Sequence, residues 1–210
     1  MMLSKEDQAI ESSRSLSRSP SGGRMVSAAL SFNGASSASD SVLSAGAFGG
    51  QREGWRPEGA SGLNTLVRTL YALQEERVEA YRLFDLGHQA YLRSAPNYDF
   101  IKYRQLVHEI TQAFNRISKE VIQLKDRFHE EYDRPDLSEH IERVQERERE
   151  KLELTARLQL AKQNMLDHPG NETYQEEVQE LKHRIRKTIE AINEILQDFK
   201  YDSEEIEASG

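Results

Sequence analysis

The chain has 210 residues, 30% charged and 37% hydrophobic, with a formal net charge of -8. It contains no cysteine, which excludes disulfides, thiolate metal sites and a cysteine nucleophile. No apolar run approaches the roughly 20 residues of a membrane-spanning helix, and Lys5, Glu6 and Asp7 stand where a secretory signal would carry its apolar stretch. These features predict a soluble protein of a reducing compartment, nuclear or cytoplasmic, neither secreted nor membrane-bound.

Residues 1–60 read as a disordered tail. The stretch RSLSRSPSGGR (Arg14 to Arg24) and the Ser, Gly and Ala mixture that follows carry no periodic apolar positions. Such a segment buries too little surface to offset about 1–2 kcal/mol of backbone entropy per ordered residue. Its serines beside Arg14 and Arg18 are candidate phosphate acceptors, and Trp55 lies just before the folded part. The tail holds six basic and six acidic residues, so the remainder carries the whole charge of -8. Residues 202–210, with Asp202, Glu204, Glu205 and Glu207, read as an acidic disordered end. This balance disfavours unaided, sequence-blind DNA binding.

Residues 61–201 form the predicted helical domain, with helices at about 62–93, 98–132, 136–167 and 173–200. The first shows Leu66, Leu70, Leu73, Arg77, Ala80, Phe84, Gly87 and Tyr91 in steps of three and four. The second shows Tyr103, Val107, Ile110, Phe114, Ile117, Val121, Leu124 and Phe128. The fourth shows Tyr174, Val178, Leu181, Ile185, Thr188, Ile192, Ile195 and Phe199. A repeat of about 3.5 residues keeps one stripe on its partners, as in coiled coils and bundles. The third helix is weaker: Leu137, Ile141 and Val144 open a stripe that QEREREK (Gln145 to Lys151) interrupts. Leu154, Leu158, Ala161 and Met165 then resume it in another phase.

The breaks have chemical causes. Pro96 disfavours helix in the residue before it, Pro135 suits a first helical turn, and His168-Pro169-Gly170-Asn171 reads as a turn. Asp136 with Glu139, and Thr173 with Glu176, have capping spacing. Rods of about 30 residues joined by short turns reverse direction each time, so the predicted fold is all-α, an antiparallel four-helix bundle of coiled-coil-like hairpins. Two loosely associated hairpins, or pairing with a second copy, stay open. The bundle should gather Tyr91, Tyr98, Tyr103, Met165 and Tyr174 at one end, and Leu66, Phe128, Tyr132, Leu137 and Phe199 at the other. Arg77 and Glu148 interrupt their stripes at similar heights on parallel helices, and are predicted to pair and fix the register.

The search for chemistry is mostly negative. Asp126-x-x-His129 and Glu180-x-x-His183 have the spacing of carboxylate-bridged metal sites, but at about 100° per residue they point away from the stripes. No zinc-binding His-Glu-x-x-His and no phosphate-binding loop occurs. His88 and His108 read as helix-surface or flanking residues. No catalytic, cofactor-binding or metal-binding residue is predicted. The cluster KHRIRK (Lys182 to Lys187) offers Lys182, Arg184, Arg186 and Lys187 as partner or phosphate contacts, with Lys102 and Arg104 beside Tyr103 a second basic site. Tyr98, Phe100 and Tyr103 could stack bases, but their spacing suits a bundle end.

ALQEERVEAYRLFDLGHQAYL (72–92), RPDLSEHIERVQEREREKLELTARLQ (134–159) and EAINEILQDF (190–199) together resemble the Required-for-excision 1-B domain family, over about residues 63–205. The resemblance implies a role in DNA repair and supplies no catalytic residues. With the acidic balance, it points to a non-catalytic adaptor or accessory factor that contacts repair proteins. Its candidate surfaces are the Gln145–Lys151 face, the exposed side of the fourth helix and the acidic terminus. The alternatives are a nucleic-acid-binding module using Lys182–Lys187 and a structural coiled-coil subunit of an unrelated complex.

Overall fold

The computed structural model describes residues 59–204, all within or between four long helices. The expectations for the tail, for Trp55 and for residues 205–210 lie outside the described residues. The helices are α1 (Gly59–Arg93), α2 (Phe100–Glu130), α3 (Pro135–Asp167) and α4 (Glu172–Glu204), in alternating directions. At 1.5 Å per residue each is about 50 Å long. No helix among them is long and apolar enough to cross a membrane.

Local chemistry sets the ends. Asp99 accepts the Lys102 amide proton at 3.3 Å and caps α2. Pro135 occupies the first turn of α3, where its missing N–H costs nothing. Two caps differ from expectation. Asp136 is held by the Arg134 guanidinium, which keeps its carboxyl below the usual range, and Arg134, at the N-cap position, makes no side-chain capping bond. The cap of α4 is Asn171, whose side-chain oxygen accepts the Thr173 amide proton at 3.1 Å, because the helix starts one residue earlier than its sequence suggests. α4 also runs on to Glu204 rather than ending near 200. There the Asp202 carboxylate meets His140 Nε2 at 2.7 Å, its carbonyl accepts from Arg134 at 2.7 Å, and Ser203 is buried.

The stripe of α2 is buried at all eight predicted positions. At one end all four helices share a single apolar cluster: Leu66 and Leu70 of α1, Val121 and Phe128 of α2, Leu137 and Ile141 of α3, and Phe199 of α4, with Tyr132 packed against it. The Phe199 ring stands edge-on to Phe128 and to Tyr71, with centroids 5.7 and 6.3 Å apart. That end matches expectation.

The far end is built differently. Tyr91 stacks on Tyr103 and Tyr98, with centroids at 4.4 and 4.9 Å. Met165, however, packs with Leu154, Leu158, Val178, Leu181 and Ile185, in a cluster that α3 shares with α4 alone. Tyr174 rests against His168 at 5.5 Å. The physical reason is that α3 is buried on two sides. Ala156 and Ala161, both buried, are five residues apart, about 140° around a helix of about 100° per residue. Gln145, Glu148, Leu152 and Gln159 meet α1 and α2, whereas Leu154, Leu158 and Ala161 meet α4. The bundle is therefore closed at one end and opens toward the other, where α4 leans on α3.

Gly87 marks a tight approach of α1 to α2: a Cβ there would fall 1.9 Å from Leu106 Cδ2. Phe199→Ala empties a site lined by all four helices and is expected to cost about 3–5 kcal/mol. Leu181→Ala, in the two-helix cluster, should cost nearer 2 kcal/mol because its neighbours can collapse. Urea unfolding of both variants checks the order, and equal losses would contradict an open end.

Candidate functional site

The polar side chains that the fold brings together form two layers between α1, α2 and α3. In the first, Arg77 is 2% exposed at the middle of the bundle. Its guanidinium donates to Gln145 Oε1 at 2.8 Å, Gln74 Oε1 at 3.0 Å and Ser118 Oγ at 3.4 Å. Glu148 is buried in the same layer, with its carboxylate 3.2 Å from Lys151 Nζ. That ammonium lies 4.0 Å above the Tyr81 ring, and the Tyr81 hydroxyl donates to the Glu148 carbonyl at 3.3 Å. The structure thus places Arg77 and Glu148 in one buried layer, the first held by amides and a hydroxyl, the second by Lys151.

Charge still couples them. Burial pulls the Arg77 guanidinium below its ordinary value, and the Glu148 carboxylate opposes that pull. Lys151 is lowered by burial and held up by Glu148, while burial drives the Tyr81 hydroxyl well above its ordinary value. Two cations, Arg77 and Lys151, thus share one carboxylate, Glu148, and the surplus positive charge on Arg77 is solvated by the Gln74, Gln145 and Ser118 oxygens.

The second layer lies three turns further along α1. His88 is 2% exposed, not a surface or flanking residue, and its ring sits 5.7 Å from Tyr103 and 6.2 Å from Tyr91. Tyr103 donates to Gln159 Oε1 at 2.5 Å, and Gln159 Nε2 donates to the Phe84 carbonyl at 3.5 Å. Asp85 and Lys162 bridge α1 to α3 beside it at 3.3 Å. Burial first, and the Lys162 charge second, lower the His88 pKa to about 4. His108, by contrast, is exposed.

The other sequence candidates stay apart. Asp126, His129, Glu180 and His183 are all exposed, and among the described residues no group of three His, Asp or Glu side chains could hold a metal. Lys182, Arg184, Arg186 and Lys187 are exposed on α4, with Ile185 between them turned toward α3. Lys102 and Arg104 are exposed, while Tyr103 is buried. Sequence reasoning missed His88, Gln145 and Gln159 as interior residues. The signal was present: Phe84, His88 and Tyr91 step by four and three, as do Gln145, Glu148 and Leu152.

These observations define a helical domain whose buried titratable groups join its own helices. The profile of the DNA repair REX1-B family matches residues 65–162, the span of α1, α2 and most of α3 that contains both polar layers. The chain is 39% identical over 144 residues to the Required for excision 1-B domain-containing protein of Mus musculus, covering 68% of this chain and 82% of that one. It is 38% identical over 145 residues to the Bos taurus protein of the same name, covering 69% and 79%. No solved structure matches. The chain belongs to the Required-for-excision 1-B domain family, a DNA-repair-related family.

The His88 layer makes stability depend on pH. Its folded value of about 4 lies below the ordinary 6.5, so the unfolded chain takes up the proton first as pH falls. Its contribution is fully present above pH 6.5 and is lost progressively on the way down to pH 4, by about 3 kcal/mol at most. Denaturant unfolding between pH 7 and pH 4.5 should show this loss in the native protein and a shallower one in His88→Gln. Parallel profiles would contradict a buried neutral imidazole.

Proposed function

We propose that this protein is a non-catalytic helical adaptor or accessory factor in DNA excision repair, acting in the nucleus through contacts with other proteins. The observation that carries the reading is family membership through a segment whose polar chemistry is turned inward. Arg77 with Gln145 and Glu148 with Lys151 are paired in one buried layer, and His88 and Gln159 lie in another, which leaves the outer helix faces as the surfaces available to other molecules. The chain's net charge of -8 supports protein partners over direct DNA contact, because a polyanion is repelled by a surface of its own sign.

The relatives carry excision in their names, which supports a part in the excision of damaged DNA. Cells lacking the protein are expected to remove ultraviolet photoproducts more slowly, and tagged protein from damaged cells should co-purify with repair factors. Normal lesion removal together with no repair factor among the co-purifying proteins would overturn the reading.

A further inference from the structure

Beyond the closed end, where Phe199 meets all four helices, the apolar clusters divide by hairpin. One, around Ala80, Phe84 and Ile110, belongs to α1 and α2. Two others, around Leu154 with Leu181 and around Val144 with Ile195, belong to α3 and α4. Among the described residues, Leu152 is the one side chain of α3 packed against the α1–α2 cluster, and it is half-buried.

The seam between the hairpins is therefore polar over most of its length. Going outward from Phe199, Arg77 donates to Gln145 at 2.8 Å, the Tyr81 hydroxyl to the Glu148 carbonyl at 3.3 Å, and Tyr103 to Gln159 at 2.5 Å. Lys162 then meets Asp85 at 3.3 Å, and Tyr98 donates to Asp167 beside the α3–α4 turn. These last two ties are the wettest: the Asp85 side chain is 50% exposed, and Asp167 lies at the surface. An apolar contact that separates must leave its surface facing water, whereas each of these polar groups exchanges its partner for water at small net cost. Such a seam parts more readily than the core inside the α1–α2 hairpin.

We propose that the α1–α2 hairpin swings away from α3 as one unit, hinged on the cluster around Phe199, so that the seam opens first at the Tyr98–Asp167 end and neither helix of the hairpin unwinds. Openings smaller than global unfolding commonly follow supersecondary units of this kind. The motion bares Tyr103, His88 and Gln159, which the closed molecule buries. It goes beyond the adaptor reading and does not depend on it.

The full-length chain has no cysteine, so a single introduced thiol reports opening at its own position. Ala156 and Ala80 are both buried. Ala156 lies between Leu152 and Gln159 on the side of α3 turned from α4, so departure of α4 leaves it covered. Ala80 lies inside the α1–α2 cluster. Each thiol is reacted with an aromatic disulfide reagent, and its rate is divided by that of the urea-unfolded chain. After correction for each variant's stability, Ala156→Cys should react at least about tenfold faster than Ala80→Cys, equivalent to about 1.4 kcal/mol. Its rate should also depend more weakly on urea, because less surface is exposed than in global unfolding. Tyr98→Phe and Lys162→Ala should speed the reaction at position 156 and leave that at position 80 unchanged. Tyr103→Phe/Gln159→Leu, which replaces both partners of a buried bond by apolar groups, should slow it. Circular dichroism confirms that each variant folds. Equal corrected rates at the two positions, or a urea dependence at 156 as steep as that of global unfolding, would overturn the proposal. So would indifference of position 156 to Tyr98→Phe and Lys162→Ala.

Discussion

α3 must bury two sides at once, and the architecture follows from that constraint. One side meets α1 and α2 through Gln145, Glu148, Leu152 and Gln159; the other meets α4 through Leu154, Leu158 and Ala161. A helix has only about 360° of surface, and two apolar faces about 140° apart would leave little of it polar. The sequence resolves the conflict by making one face largely polar and satisfying it internally. Arg77, buried on α1, is the group that closes this face: without amide and hydroxyl acceptors it would be an uncompensated interior charge, which is strongly destabilising. The polar layer thereby selects one register for α1 against α3, since sliding by a turn would separate Arg77 from Gln145.

The same constraint divides the molecule. α1, α2 and most of α3 share both polar layers and coincide with the span matched by the DNA repair REX1-B profile. α4 is attached through Phe199 and Ile195 at the closed end, and through Val178 and Leu181 along α3. α3 packs more extensively against α4 than against α1 or α2, so α3 belongs to both halves of the molecule.

The legibility of the sequence tracks how many directions each helix faces. α2 looks one way along its whole length, so its eight-residue stripe could be read position by position. α3 looks two ways, so its second face reads as an interruption, and the Gln145–Lys151 run reads as a candidate contact surface although Gln145, Glu148 and Lys151 are at least half-buried. His88 was displaced in the reading by Gly87, which has equally good spacing. The glycine serves a close helix approach and the imidazole is the interior group. Met165 went to the wrong cluster for the same reason, since its phase belongs to the α4 side of α3.

Native-state hydrogen exchange tests the central claim most directly, because it reads the free energy of opening along each helix. Amides of α2, of α3 around Glu148 and of α4 around Ile195 should exchange only through global unfolding. Amides of α4 between Tyr174 and Lys187 should exchange through a smaller, local opening in which that half of the helix leaves α3. Uniform protection along α4, equal to that of α2, would mean that the bundle is closed at both ends and that α3 does not divide its surface between two partners.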